Sequence, residues 1–511
     1  MQSVSSAFTA EEKDSVRKIG QSLLVSWKKN IITSRTFTIG TSSIGGTDLI
    51  GINQGAIGGP SLYQYSDESD YVTSLGWEQE LNMPVGGLAK GVAEATLENT
   101  TGRFLPHYMG GNSELFTAIL PRRPMIINAG FNYEGIDQLI PQFSGVLNKQ
   151  PEVNITDRSV SLSGADYIDF FQNRYLDQEL MFTSKTTDQV VGDLFSSLGM
   201  STAQYDIEQG LNTIDFGLFE KGTRFSDLFN KLAQAENAHI YQDETGVFRF
   251  ENRQHWYTSP HDQVQVVVNT SDVIYAKSPN EDSIINVVEI KSSIREKQQT
   301  QLIYQTQSPI ELAPSIQQEY FVSYDDPILQ VVSIVITAND AEDGSGTDRS
   351  ANVTYNKTDF AQASKFIFSN THTSTIYITS LQINGRPAKI VSEIYHRVSD
   401  DSSVTAFEER PYAIENEFIQ SETWAQSLGL VLLQSYSDPQ SLQEITIRAK
   451  PRLQIGDLIS WQGRYWRVYG KQTKLDSTGG FVQNLKLLIA NTQSFFAIGV
   501  STIGGSDLIA A

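Results

Sequence analysis

The residues of this chain that could do chemistry are six histidines, 59 acidic side chains, scattered Ser-Gly pairs and two glycine-rich segments; cysteine is absent. Without cysteine there is no disulfide, thiolate metal site or thiol nucleophile. His107, His239, His255, His261, His372 and His396 include no H-E-x-x-H and no close pair suited to zinc. His255 and His261, six apart around Tyr257 and Pro260, read as loop residues. Glycoside hydrolysis needs two carboxylates on facing walls of a cleft. No local pattern selects such a pair, so the acidic residues read as solvated surface. Ser144-Gly145 and Ser163-Gly164 lack the G-x-S-x-G elbow that exposes a nucleophilic serine. The expectation is a non-enzymatic chain with no cofactor and no metal.

The glycine-rich segments are near-copies of each other. Phe37–Ile50 reads FTIGTSSIGGTDLI and Phe496–Ile509 reads FAIGVSTIGGSDLI, identical at ten of 14 positions, with a looser echo at Ala56–Leu62. Paired glycines before an aspartate can form a concavity of backbone N–H groups that cradles phosphate. Here no Gly-Lys-Ser/Thr follows, and Gly40 with Gly45-Gly46 is wrongly spaced for GxGxxG. Calcium-binding glycine-aspartate repeats need many copies. A docking turn fits better. Gly45, Gly46, Gly504 and Gly505 permit the turn, and Asp48 and Asp507 cap its N–H groups. Phe37, Ile39, Leu49 and Ile50, with Phe496, Ile498, Leu508 and Ile509, then enter a groove on this protein, on a neighbour, or on both.

The elements that must position these segments are mostly strands. With 511 residues the chain exceeds one core, so about three or four domains are expected. Its 25 Phe and 21 Tyr supply apolar surface enough for them. A net charge of −21 argues against a nucleic-acid reader. Acidity favours solubility, and it also suits a channel lining that passing DNA does not stick to; charge alone does not choose. No run approaches 18 apolar residues, so neither a membrane span nor an export signal is expected.

Along the chain, Thr9 and Glu12 read as a capping box opening a helix near 10–20, within an N-terminal arm of residues 1–21. Residues 22–150 read as a β-rich domain, a barrel or a sandwich, with strands near 34–40, 91–98, 114–120, 125–133 and 140–147. In Gly91–Glu98, Ala93, Ala95 and Leu97 share one face and Glu94, Thr96 and Glu98 the other. Residues 151–260 read as α+β: helical faces at 165–174, from Thr187 to a stop at Gly199, and at 224–235, then a hairpin around Asp243–Gly246. Residues 261–410 return to strands, with a loop at Asn339–Ser350. Residues 411–490 hold a helix over Glu415–Tyr436 and closing strands at Ile445–Ala449, Leu458–Trp461 and Tyr465–Tyr469; residues 491–511 carry the second glycine-rich copy.

Several motifs, in order, resemble the central hub proteins of bacteriophage tail tips and baseplates. Ala93–Asn99 matches a strand of the form A-x-x-T-L-x-N, and Gly102-Arg103-Phe104 with Pro106 matches its G-R-F-x-P. Leu115–Thr117 and Phe143–Leu147 follow in the first barrel. Gly222-Thr223, Leu228, Leu232, Ala233 and the stretch D-E-T-G-V-F-R-F (Asp243–Phe250) match the hub's inserted α+β domain. Leu453–Ile459 and Tyr465–Val468 resemble the end of its second barrel. The resemblance covers about residues 80–490.

It implies a mainly β, multi-domain hub: two small β-barrel domains plus α+β domains. Three chains would form a homotrimer whose barrels make a pseudo-sixfold ring, joining a sixfold tail tube to a threefold tip. Such a hub plugs or gates the tube and lets DNA pass without binding it specifically. Its partners would be itself, a distal-tail or tail-tube ring protein, and tip or fibre proteins. Its place would be the virion tail tip, after assembly in the host cytoplasm; a gene-transfer particle or tailocin would share the signature. Some tail-tip proteins add a cell-wall hydrolase, for which the residues after the last strand leave no room. The alternative is a host-receptor or carbohydrate-binding tail protein, with Trp256, Trp424, Trp461 and Trp466 as sugar-stacking candidates.

Overall fold

A computed structural model describes residues 1–13, 17–29, 63–106, 109, 110, 113, 115, 117–277, 284–476 and 480–490. The strand expected near 34–40 and both glycine-rich copies lie outside them.

Gly91–Glu98 alternates buried and exposed residues, as its period of two requires. It pairs on one side with Val72–Glu80 and on the other with Ser159–Ala165. From Ser159–Ala165 the ladder continues through Ile136–Leu147, Pro124–Tyr133 and Ile19–Lys29 to Tyr63–Asp67. On the other side, Val72–Glu80 pairs with Arg464–Asp476, and the ladder runs on through Phe481–Ile489 and Leu442–Arg448 to Val273–Lys277. With three side strands this is one 14-stranded sheet.

Two separate closed barrels were expected. The described strands instead form one open path that rolls without closing its ladder. Phe131 and Phe481 measure the roll: their strands lie six steps apart along the path, about 29 Å if flat at ~4.8 Å per step. Their ring centroids are 6.2 Å apart. The sheet encloses two cores, one holding Leu23, Trp77, Leu97, Phe131 and Leu162, the other Val266, Ile445, Ile459, Trp466 and Leu485.

Between the two rolled halves sits an α+β unit. Helices Thr187–Ser197 and Phe225–Glu236 pack against a four-stranded sheet that includes His239–Gln242 and Phe248–Glu251. Phe171, Phe195, Phe229 and Phe248 fill its core. The amphipathic helix Glu422–Tyr436 joins the same core through Leu428, Leu432 and Tyr436. A further two-layered β unit within residues 301–383 has its own core, including Phe366, Phe368, Leu381 and Ile383. The 24-residue strand Ile376–Ser399 links this unit to the rest.

Several local expectations are corrected. The first helix is Ser6–Lys13, capped by Ser5, whose Oγ accepts from Phe8 N at 3.1 Å. Burial sets this register: Phe8 packs on Phe131, and Glu12 turns inward to Arg452 at 2.9 Å. Residues 117–120 are turn and irregular backbone, held by Ala118 N to Leu115 O at 2.7 Å, and not strand. The 165–174 helix is a 3-10 helix, Tyr167–Asn173, capped by Asp166. The long helix starts at Glu422 because Ser421 caps it, leaving Phe418 and Ile419 in the preceding turn.

The Gly-Arg-Phe motif is a structural knot. Gly102, at φ +72°, closes a turn by donating to Asn99 O at 3.1 Å, and Asn99 Oδ1 accepts from Phe104 N at 3.0 Å. Phe104 is fully buried, edge-on to Tyr71 at 5.3 Å. Arg103 reaches the fully buried Glu68 with Nε at 3.1 Å and a second nitrogen at 3.0 Å; Trp27 Nε1 and Ser66 Oγ donate to the same carboxylate. Arg103→Ala strands that carboxylate with two donors. Removing one partner of a buried pair costs about 3–5 kcal/mol, and the partial exposure of Arg103 and the remaining donors put the expected loss near the lower end. Arg103→Lys keeps the charge but not the fork, and should fall between the two in urea unfolding midpoint.

Candidate functional site

The two glycine-rich copies, Phe37, Ile39, Gly45, Gly46, Asp48, Leu49 and Ile50 with Phe496, Ile498, Gly504, Gly505, Asp507, Leu508 and Ile509, lie outside the described residues. The described strands fix where each is attached. Ile19–Lys29 and Tyr63–Asp67, which flank the first copy, are antiparallel neighbours with Lys29 opposite Tyr63. The second copy follows Phe481–Ile489, a strand paired on both edges.

A continuous polar face lies on the outer side of the sheet, across the seam between Val72–Glu80 and Arg464–Asp476. Arg448, Val482, Lys474, Gly76, Glu94 and Ser163 lie in register across six strands. A second row runs Thr446, Asn484, Gln472, Glu78 and Val92. Gln472 Nε2 donates to Glu78 Oε2 at 3.0 Å, Asn484 Nδ2 to Glu444 Oε1 at 2.7 Å, and Lys486 pairs with Glu80. Six carboxylates (Glu78, Glu80, Glu94, Glu98, Glu444 and Asp476) share this face with four cations, Arg448, Lys474, Lys486 and Lys277, the last paired with Glu444 at 3.2 Å, so it is polar with a small acidic excess.

On its inner side the seam grips the α+β unit through the turn of the D-E-T-G motif. Glu244 accepts from Lys471 Nζ at 3.0 Å and from Gln454 Nε2 at 2.9 Å, and Lys471 also donates to Leu453 O at 2.8 Å. Gln79 Nε2 donates to Gln242 O at 2.8 Å, while the Gln242 side chain joins Tyr167 N at 2.8 Å to Ser144 O at 3.0 Å. Asp166 accepts from the backbone N–H of Gly91 and Ile168. Burial nevertheless pushes its carboxyl up to about 7, because loss of hydration outweighs two hydrogen bonds.

His255 and His261 were expected on a loop; His255 opens the 3-10 turn His255–Tyr257 and His261 lies in the turn after it, with their rings 3.9 Å apart and His255 beside Glu208 and Glu251. Sequence reasoning missed Glu208, Glu251, Arg467 and Lys471, which lie far apart in the chain. One signal was available: Lys471 alternates with the inward Thr473 and Leu475, a cation on the buried face of its strand. The tryptophans are engaged internally. Trp461 and Trp466 are buried, Arg253 lies 3.8 Å over the Trp424 ring, and Trp256 stacks on His239. Among the described residues no group of three or more His, Asp or Glu is arranged to hold a metal ion.

No family model and no curated protein matches the chain. Solved structures do match. The 43 kDa tail protein of prophage MuSo2 from Shewanella oneidensis is 12% identical at a TM-score of 0.44, over 84% of this chain and 95% of its own. A tail protein from Neisseria meningitidis MC58 is 9% identical at 0.45, over 83% and 93%. The prophage tail protein gp18 from Listeria monocytogenes EGD-e is 11% identical at 0.42, over 84% and 92%.

Proposed function

We propose that this chain is a structural, non-enzymatic hub of a phage tail tip, joining a sixfold tube to a threefold tip as a homotrimer and passing DNA through its centre. The observation that carries the reading is the outer face of the rolled sheet, polar and unbroken across the seam. Each chain offers two rolled halves side by side, so three chains offer six. The order of the hub-like motifs supports it independently. The proposed units remain 1–21, 22–150, 151–260, 261–410, 411–490 and 491–511.

In this reading the seam face lines the channel. Phosphates are repelled by its acidic excess, whereas a basic lining would hold DNA by counterion release. Glu78→Lys with Glu94→Lys and Glu98→Lys should slow DNA release from assembled particles, and more so at low salt, as followed by dye fluorescence. Release at the normal rate would remove the channel assignment.

The two glycine-rich copies are hooks for equivalent grooves on a distal-tail or tube ring protein, six per trimer. Each fully buried apolar flank would contribute about 1.5–3 kcal/mol. Negative-stain images and light scattering should give a threefold particle with three times the mass of one chain; a monomer, alone and with tube protein present, overturns the hub. Deleting Phe496–Ala511 should leave that trimer intact and weaken its joining to the ring protein. Normal joining by the truncated hub rejects the hooks and leaves the trimer standing.

A further inference from the structure

The residues that join the α+β unit to the closing sheet form a charge cluster that the tail reading does not use. His255 opens a short 3-10 turn, His255–Tyr257, directly after the strand Phe248–Glu251. Its two ring nitrogens face two different carboxylates. Nδ1 lies 2.6 Å from Glu208 Oε1, and Nε2 lies 3.3 Å from Glu251 Oε1. Each carboxylate is fixed from behind: Glu208 Oε2 accepts from Asn252 N at 2.9 Å, and Glu251 accepts from the Tyr241 hydroxyl. The turn itself is held by the sheet. Arg467 donates to the backbone oxygens of Trp256 at 2.9 Å and of His261 and Gly456 at 2.8 Å each.

We infer that the proton on His255 is the bolt of a pH-sensitive latch between the α+β unit and the rolled sheet. A neutral imidazole has one N–H and one lone pair, so it can donate to only one of the two carboxylates. The imidazolium donates to Glu208 and sets its second N–H and its charge beside Glu251. When that proton leaves, one carboxylate faces a lone pair, and the turn loses a tie to the α+β unit while Arg467 still holds it to the sheet.

The groups facing His255 from each packed element are Glu208, Glu251, His261, His239 and Arg467. Glu208 and Glu251 hold its pKa above the ordinary value, against burial and the Arg467 charge. A raised folded value means that the stabilisation is complete below the unfolded pKa of 6.5 and is lost as pH rises through the folded pKa. The acid side has the opposite sign. Burial and the nearby His255 charge press His239 and His261 down to about 4. Their neutral forms suit the fold, so that contribution is complete above 6.5 and is lost as pH falls through about 4. The latch is closed in between.

The inference rests on this geometry and not on the tail reading, and one experiment on the full chain tests it. Histidine C2-proton exchange and backbone amide exchange are measured together by mass spectrometry from about pH 4 to pH 9, with amide rates corrected for intrinsic chemistry. His255 should titrate above 6.5. Protection of residues 252–263 should fall through the same pH, by about tenfold for each unit that its pKa exceeds 6.5. Ala363–Asn370, in the separate β unit, should not change. A His255 pKa at or below 6.5, or a fall in protection at a different pH, overturns the latch without any variant. His255→Gln should abolish the step in 252–263; a step that persists in this variant also overturns it.

Discussion

The pairing of Val72–Glu80 with Arg464–Asp476 is the contact on which the rest of this structure depends. Seven register pairs, from Glu80 opposite Gly470 to Ser74 opposite Asp476, bring together segments almost 400 residues apart. Closing so long a loop is entropically costly, though the cost grows only with the logarithm of its length. What offsets it is the burial of Leu75, Trp77, Leu475 and Phe481 in one core, which neither end of the chain completes alone. Everything between the two strands must return to within one strand spacing. The α+β unit is therefore held against the seam's inner side, where Lys471 and Gln79 are available to grip it.

Polar groups at that grip have consequences that an apolar joint would not. A buried carboxylate or cation leaves a large penalty behind when its partner withdraws, so such contacts define position sharply. Glu244 with Lys471, and the Gln242 side chain between Tyr167 and Ser144, fix the hairpin turn in one place and one orientation. This gives the D-E-T-G motif a physical reason. Asp243 Oδ1 accepts from Thr245 N at 2.9 Å and Val247 N at 3.0 Å, Gly246 takes the positive φ of +95°, and Glu244 is presented to the seam.

Legibility in the sequence follows the range of the interactions. Gly91–Glu98 and the helices at Thr187 and Phe225 were readable, because period and apolar face are local properties. The Phe481–Ile489 strand was missed although its alternation is regular. Thr9 and Glu12 matched a capping box in letters, but the burial of Phe8 and Glu12 moved the cap to Ser5. The seam was not legible at all. Each of its strands reads as an ordinary half-buried strand, and nothing in either sequence names the other as partner. The histidine cluster was hidden for the same reason: Glu208, His255 and Arg467 are distant in the chain, and nothing local in the sequence pairs them.

The unit around Phe366 and Phe368 stands apart from this logic. Its core is its own, so its stability does not pass through the seam. Its polar ties to the remainder include Glu179 to the Ala361 backbone, and Arg295 to Asp326 at 3.7 Å. The main mechanical path is the strand Ile376–Ser399. One end pairs with Ile328–Asn339 inside the unit, and the other pairs with Val287–Lys297 beside the helix Glu422–Tyr436. This strand therefore connects the separate core to the helix Glu422–Tyr436, which shares its core with the α+β unit. The α+β unit in turn meets the sheet at the joint held by Glu244, Lys471 and the histidine turn. A chain built this way buries its apolar surface in separate cores and leaves polar, buried contacts to join the sheet to the α+β unit.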